Sequence, residues 1–329
     1  PEQWLQPSPS GQHVNMYFKE TLLSGPDPFG FHQIDPFQVN HVQQKNLKPD
    51  YESTLKGWQP IDLQHHIRTT RSAKVLAWLG NDHLAKDDLR MRAELFRLGY
   101  HPYNNDSSGG YQGSGLKGHK NHATINPGKG LFFGRGNGWG IDAVNAAYSL
   151  ADTDYRSMVL PWFKQLTDTV AAGQFTCNGF IQAKVNPKML GGNYQVRQQY
   201  EEAIVDNALR GALESALRDV DASREAQMKA VVSNSALGMI SPMSWDPVQR
   251  GPYKQLAVAP LQVTAPAYCG LPHPSGGTSS GVELYQSWSS SAYGYELTGD
   301  QTFLGKAAEA LGGDLKTKLH GAGIDNIEN

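Results

Sequence analysis

The sequence predicts an all-α fold, an α/α toroid, on three observations: a fourfold local repeat, near-complete burial of one helix set, and long Gly/Pro-rich loops before those helices. The repeat is a helical run, a short break carrying Asp, and a second helical run. It occurs in WLGNDHLAKDDL around Asp82, SLADTDYRSMVL around Asp154, LRDVDASREAQM around Asp221 and ELTGDQTFLGKA around Asp300, at intervals of 72, 67 and 79 residues. Aspartate suits the break because its carboxylate accepts hydrogen bonds from the free N–H groups that open the next helix. Each unit is then a helical hairpin.

The expected first helices are 62–79, 138–151, 197–219 and 281–297, and the second ones 83–98, 155–172, 223–239 and 301–311. Leu84, Met91, Leu95 and Leu98 are read as the apolar face of one second helix. Ile141, Ala143, Val144, Ala146, Ala147, Tyr148 and Leu150 go nearly all the way round a first helix, as do Ala203, Ala208, Gly211, Ala212 and Ala216 in the next. First helices buried on every side and amphipathic second helices give two concentric layers, an incomplete (α/α)6-like barrel of about four hairpins spanning 58–329. Residues 1–57 are Pro/Gly-rich and irregular, apart from a candidate helix near Val14–Leu23, and are expected to wrap the barrel. The start at Pro1 and the ending IDNIEN predict a piece of a longer protein with companion domains.

Composition narrows the partners. Lys+Arg number 29 against 31 Asp+Glu, a net charge of −2, which removes the electrostatic case for nucleic acid. No apolar run reaches the roughly 18–20 residues of a spanning helix, so no membrane partner is expected. Cys177 and Cys269 show no metal spacing; a disulfide or two separate thiols remain open.

Stretches 101–137, 174–196 and 240–280 are loops of a length that is usually functional or carries short strands. Each precedes a first helix, so all open at one end, where the site is expected. Asp62, His65, His66 and Thr69 share one face of the first helix, with Arg68 beside them. Tyr200 and Glu201 open the third helix and Trp288 lies at the start of the fourth. Carboxylates, imidazoles, guanidinium and aromatic faces converging from separate repeats are the composition of a sugar site. An acid at a helix start is also an ordinary cap, so Glu201 alone decides nothing.

Other motifs carry little. GSGLKG at 113–118 matches G-x-G-x-x-G but follows no strand, and is read as a flexible loop. His119 and His122 in the same stretch are read as surface loop histidines, and no metal or cofactor is expected. GTSSG at 277–281 lacks the strand of a nucleophile elbow. Trp58, Trp78, Trp162 and Trp245 are read as core, and Trp139 and Trp288 as sugar platforms.

The most specific string is Phe133-Gly134-Arg135-Gly136-Asn137-Gly138-Trp139. It resembles the W-x-R-G-N-G-W signature of the unsaturated glucuronyl and rhamnogalacturonyl hydrolases, and the likeness extends over Leu131–Gln182. The resemblance implies an (α/α)6 toroid in which Arg135 and Trp139 face a uronic-acid site. By repeat position it also implies that Asp62, 77 positions before Trp139, is the proton donor. As a hydrolase of an acidic oligo- or polysaccharide, the chain would use Asp62 as donor and Glu201 or His66 to orient water. Arg135 and Arg68 would hold the sugar carboxylate, and Trp139 and Tyr200 would stack on the ring. A polysaccharide lyase on the same fold would take His65 or His66 as base, Asn137 with Arg135 to neutralise the uronate, and Tyr200 as acid. A non-catalytic module binding glycan or protein at the same mouth is the third expectation. A polysaccharide substrate places the chain in a secreted or periplasmic setting.

Overall fold

A helix begins with N–H groups that have no carbonyl partner, and an aspartate just ahead of it satisfies one of them. Asp82 accepts from Ala85 N at 2.9 Å, Asp152 from Tyr155 N at 2.8 Å, Asp221 from Arg224 N at 3.2 Å and Asp300 from Thr302 N at 2.8 Å. The second break is therefore capped by Asp152, and Asp154 sits in the first turn of the helix that follows. Lys164 and the Arg224 N–H hold the Asp221 carboxyl down at about 2.

The structure, a computed structural model, describes residues 70–94, 96–97, 115–185, 190–261, 282 and 287–311. The predicted N-terminal wrap over 1–57 lies outside them. The first hairpin is α1 (Arg71–Gly80) and α2 (His83–Glu94). Next comes α3 (Gly115–Ile125), a helix where the glycines predict a flexible loop. The second hairpin is α4 (Arg135–Leu150) and α5 (Thr153–Gly173). The third is α6 (Gln199–Ala212), extended by a π-helical turn at Leu213–Leu217, and α7 (Ala222–Ile240). The fourth is α8 (Ser287–Thr298) and α9 (Thr302–Leu311).

Two first helices, α4 and α6, lie side by side and run the same way, and α8 packs against α6. Along α4 and α6, Gly138 meets Ile204, and further on Asn145 Nδ2 donates to Ala208 O at 2.8 Å. Between α6 and α8, the Arg210 guanidinium lies 4.0 Å from the Tyr293 ring centroid, and Tyr293 OH donates to Glu214 at 2.6 Å. Second helices meet in turn: Arg224 of α7 forks onto Asp168 of α5 at 3.1 and 2.9 Å. Eleven of the 16 residues of α4 are buried, the all-round burial its composition predicts.

The first hairpin departs from that rule. In α1 only Ala73 and Ala77 are buried, and Val75, Leu76, Trp78 and Leu79 are exposed, so Trp78 is not a core residue. In α2 the inward face is Ala85, Leu89 and Ala93, continued by Phe96, whereas Leu84 is 80% exposed. The inward side differs from the predicted one at Leu84 because alanines let α2 approach α4 closely, packing with Ala146 and Leu150; Leu95 and Leu98 of the predicted face lie outside the described residues.

The long loops supply short strands. β1 (Lys184–Val185), β2 (Tyr194–Gln198) and β5 (Gln255–Pro260) form an antiparallel sheet in the order β1-β2-β5, and β3 (Trp245–Asp246) pairs with β4 (Gly251–Pro252). A bulge between Gln195 and Val196 re-aims β2, which runs straight into α6. One apolar core fills the space between helices around Phe133, Phe163, Leu166 and Leu209. A second lies under the sheet around Phe175, Phe180, Trp245 and Leu256. Trp162 packs edge-on to Phe96, and Trp245 is buried with its Nε1 donating to Glu309. The described residues are thus mostly helical with two small sheets. Among them no helix is long and apolar enough to cross a membrane. Cys177 is disulfide-bonded, and Cys269, outside the described residues, is the chain's other cysteine.

Candidate functional site

The N-terminal ends of α4 and α6 come together, and the predicted residues on them meet. Arg135 Nη1 donates to Tyr200 Oη at 3.1 Å, and the Tyr200 hydroxyl donates to Glu201 Oε1 at 3.1 Å. The other oxygen of Glu201 pairs with Lys184 of β1 and accepts from Gln182 Nε2. The Arg135 guanidinium lies 5.9 Å from the Trp139 ring centroid. Arg135, Trp139, Tyr200 and Lys184 are half-buried, whereas Glu201 is buried beneath them. Burial and the Glu201 charge push the Tyr200 phenol upward, with Arg135 opposing, so it keeps its proton at neutral pH.

Gln182 is the joint of this cluster. Its Nε2 also donates to Phe133 O at 2.8 Å, and its Oε1 accepts from Gln198 N at 2.7 Å. One side chain thereby links the strand entering α6 to the residue preceding the Gly134 cap of α4. Glu202 points the opposite way from its neighbour Glu201. Its two oxygens accept from Ile181 N at 2.6 Å and Gln182 N at 2.8 Å, fixing the backbone that carries Gln182. The segment reaches α7 through Gly179, whose φ of +74° excludes most side chains and whose Cβ would lie 2.2 Å from Asn234 O.

Asn137 is placed differently from an exposed sugar contact. Its Oδ1 accepts from Gly134 N at 3.0 Å, and its Nδ2 donates to His119 Nε2 at 3.2 Å. The amide is buried, closing the first turn of α4 onto α3. His119 and His122 are not surface loop residues: they are 1% and 5% exposed, edge-on to Phe133 and Phe132 with ring centroids 4.4 and 4.7 Å apart. Burial, with His122 adding to it, holds His119 well below the usual imidazole range, so the ring is neutral, and the tautomer with its proton on Nδ1 is the one that accepts from the Asn137 amide. Helix α3 buries the two histidines, because it places both rings on its face toward Phe132, Phe133 and the first turn of α4.

Asp62, His65, His66 and Arg68 lie outside the described residues. Trp288 falls in the first turn of α8, and its side chain also lies outside them. Among the described residues no cluster of three or more His, Cys, Asp or Glu could hold a metal ion. Lys184 and Gln182 join the site without any signal in the local sequence.

Chemically, the cluster offers two cations, Arg135 and Lys184, flanking a protonated phenol and a carboxylate. Such a set can hold an anionic group and pass a proton along Tyr200 to or from Glu201. The chain matches no known protein-family model, no curated protein and no solved structure.

Proposed function

We propose that the chain is a carbohydrate-active enzyme that cleaves a uronic-acid-containing oligo- or polysaccharide, acting as a glycoside hydrolase with Asp62 as proton donor. The observation that supports it most is the meeting of Arg135, Tyr200 and Glu201 from two separate repeats in one hydrogen-bonded row, with Lys184 closing the other side. Helices α4, α6 and α8, running side by side, are the inner wall of an α/α toroid, and the row stands at its open end. Arg135 and Lys184 take the uronate carboxylate, Trp139 offers the sugar an apolar face, and Glu201 or His66 orients water. The disulfide at Cys177 supports an oxidising, secreted or periplasmic setting.

The geometry favours one second reading. A phenol that keeps its proton, placed between a guanidinium and a carboxylate, is suited to protonate a leaving oxygen after abstraction at C5 of a uronate. That is β-elimination, with Tyr200 as acid and His65 or His66 as base.

Both readings require the acidic group of the sugar to be recognised by Arg135. In titration calorimetry, uronate oligosaccharides should bind more tightly than their carboxyl-reduced counterparts. Arg135→Ala should remove about 10–100-fold of that affinity, the worth of a charge-assisted hydrogen bond, without changing the affinity for the neutral sugars. Equal binding of acidic and neutral sugars, unmoved by the substitution, would overturn the reading.

A further inference from the structure

Behind the row, three buried side chains raise a question of proton count. Ser235 Oγ of α7 lies 3.1 Å from Glu202 Oε1 and 2.8 Å from Asp206 Oδ2 of α6. Ser235, Glu202 and Asp206 are no more than 2% exposed. A hydroxyl carries a single hydrogen and can donate to one carboxylate. Its contact with a second ionised carboxylate would set lone pair against lone pair, so one of the two acids must carry a proton and donate it to Ser235. Glu202 is the acid held ionised: against the upward push of burial, backbone N–H groups donate to both its oxygens and Arg197 adds a positive charge, all favouring the carboxylate. Asp206 is free to carry the proton: Oδ2 meets Ser235, and among the described residues Oδ1 has no hydrogen-bond partner.

The charge count agrees. Arg197 of β2 is fully buried, its guanidinium 4.4 Å from the Phe180 ring centroid, and burial lowers its proton affinity to about 10, which leaves it a cation at neutral pH. One cation balances one carboxylate; with both acids ionised, an uncompensated charge would sit in the core.

We propose that Asp206 is a neutral carboxylic acid in the folded protein, donating its proton to Ser235, and that this proton holds Glu202 in place beneath the Ile181–Gln182 backbone. The structure then contains an alkali-sensitive latch under the candidate site, independent of which ligand the site takes.

The charged and polar groups bearing on Asp206 are Glu202 from α6, Arg197 from β2 and Ser235 from α7. Burial and the Glu202 charge push the Asp206 carboxyl well above its usual range, against the pull of Ser235 and Arg197. A raised folded value means that the folded state keeps a proton the unfolded chain gives up. The stabilisation is complete below the unfolded carboxylate value, about 3.9, and is lost as pH rises through the folded value. Asp206→Asn keeps a donor toward Ser235 that cannot ionise.

Infrared spectroscopy of the full chain tests the proposal. At neutral pH the wild type should show the carbonyl stretch of a protonated carboxylic acid, shifted by 13C-aspartate labelling and unmoved by 13C-glutamate labelling. Urea unfolding across pH should show the wild type losing up to tenfold in folding constant per pH unit relative to Asp206→Asn over the window between the two values. No such band, a band that follows the glutamate label, or parallel stability profiles would each overturn it. The labelling arm needs no variant, so it stands even where Asp206→Asn does not fold.

Discussion

Glu202→Ala should destabilise the protein by about 3–5 kcal/mol, the loss expected when one partner of a buried charge set is removed. The substitution strands Ile181 N and Gln182 N at once and removes the carboxylate that balances the buried Arg197. Glu202→Gln retains an acceptor oxygen and should cost less. Urea unfolding of the two variants checks the order, and a loss below about 1 kcal/mol for alanine, the size of an ordinary neutral hydrogen bond, would contradict the role given to Glu202. The effect extends to the candidate site: with its backbone freed, Gln182 no longer ties Phe133, Gln198 and Glu201 together.

Gly140→Ala is the second large effect, and two forces predict opposite signs for it. Helix propensity alone favours alanine inside α4 by about 1 kcal/mol. Packing opposes it, since a Cβ at Gly140 would lie 2.0–2.3 Å from three ring carbons of Phe96, itself held against Trp162. A buried ring between helices has nowhere to retreat, so overpacking wins, with a net loss of about 1–3 kcal/mol. Gly305, inside α9, serves as the control, because a Cβ added there would meet nothing within 4 Å. Gly305→Ala should stabilise by up to about 1 kcal/mol. Thermal unfolding of both checks the opposite signs; stabilisation by Gly140→Ala would mean that Phe96 and α4 are not in this contact.

These contrasts show where the sequence carries structure and where it does not. The aspartate breaks are legible because capping is local: each carboxylate reaches an N–H two or three residues on, and the four hairpins follow. The face of α2 is not legible in the same way, because two stripes compete on one helix. Ala85, Leu89, Ala93 and Phe96 form as good a helical stripe as the larger leucines, and close approach to α4 selects it over Leu84. Helix α3 is hidden by its two glycines, although Leu116, His119 and Ala123 keep i, i+3, i+7 spacing once a buried neutral histidine is counted as apolar.

At the candidate site, Arg135, Tyr200 and Glu201 are legible as residues that open helices in successive repeats. Lys184 and Gln182 are not, because Lys184 reaches Glu201 through the antiparallel pairing of β1 with β2 and Gln182 through a bridge to Leu131, non-local registers with no mark in the local sequence. Asn137 shows the converse. It stands in the most specific string of the chain, yet its amide is occupied by the first turn of α4 and by His119, both within the fold.

The central claim, cleavage of an acidic glycan at the row of Arg135, Tyr200 and Glu201, is tested most directly by near-ultraviolet absorbance. The measurement is a time course on uronic-acid polysaccharides and on their unsaturated oligomers. The hydrolase reading predicts a fall on the unsaturated oligomers, abolished by Asp62→Asn and by Arg135→Ala. A rise on intact polysaccharide, abolished by Tyr200→Phe, would replace hydrolysis with elimination at the same site. A flat trace on every acidic substrate would contradict the claim itself.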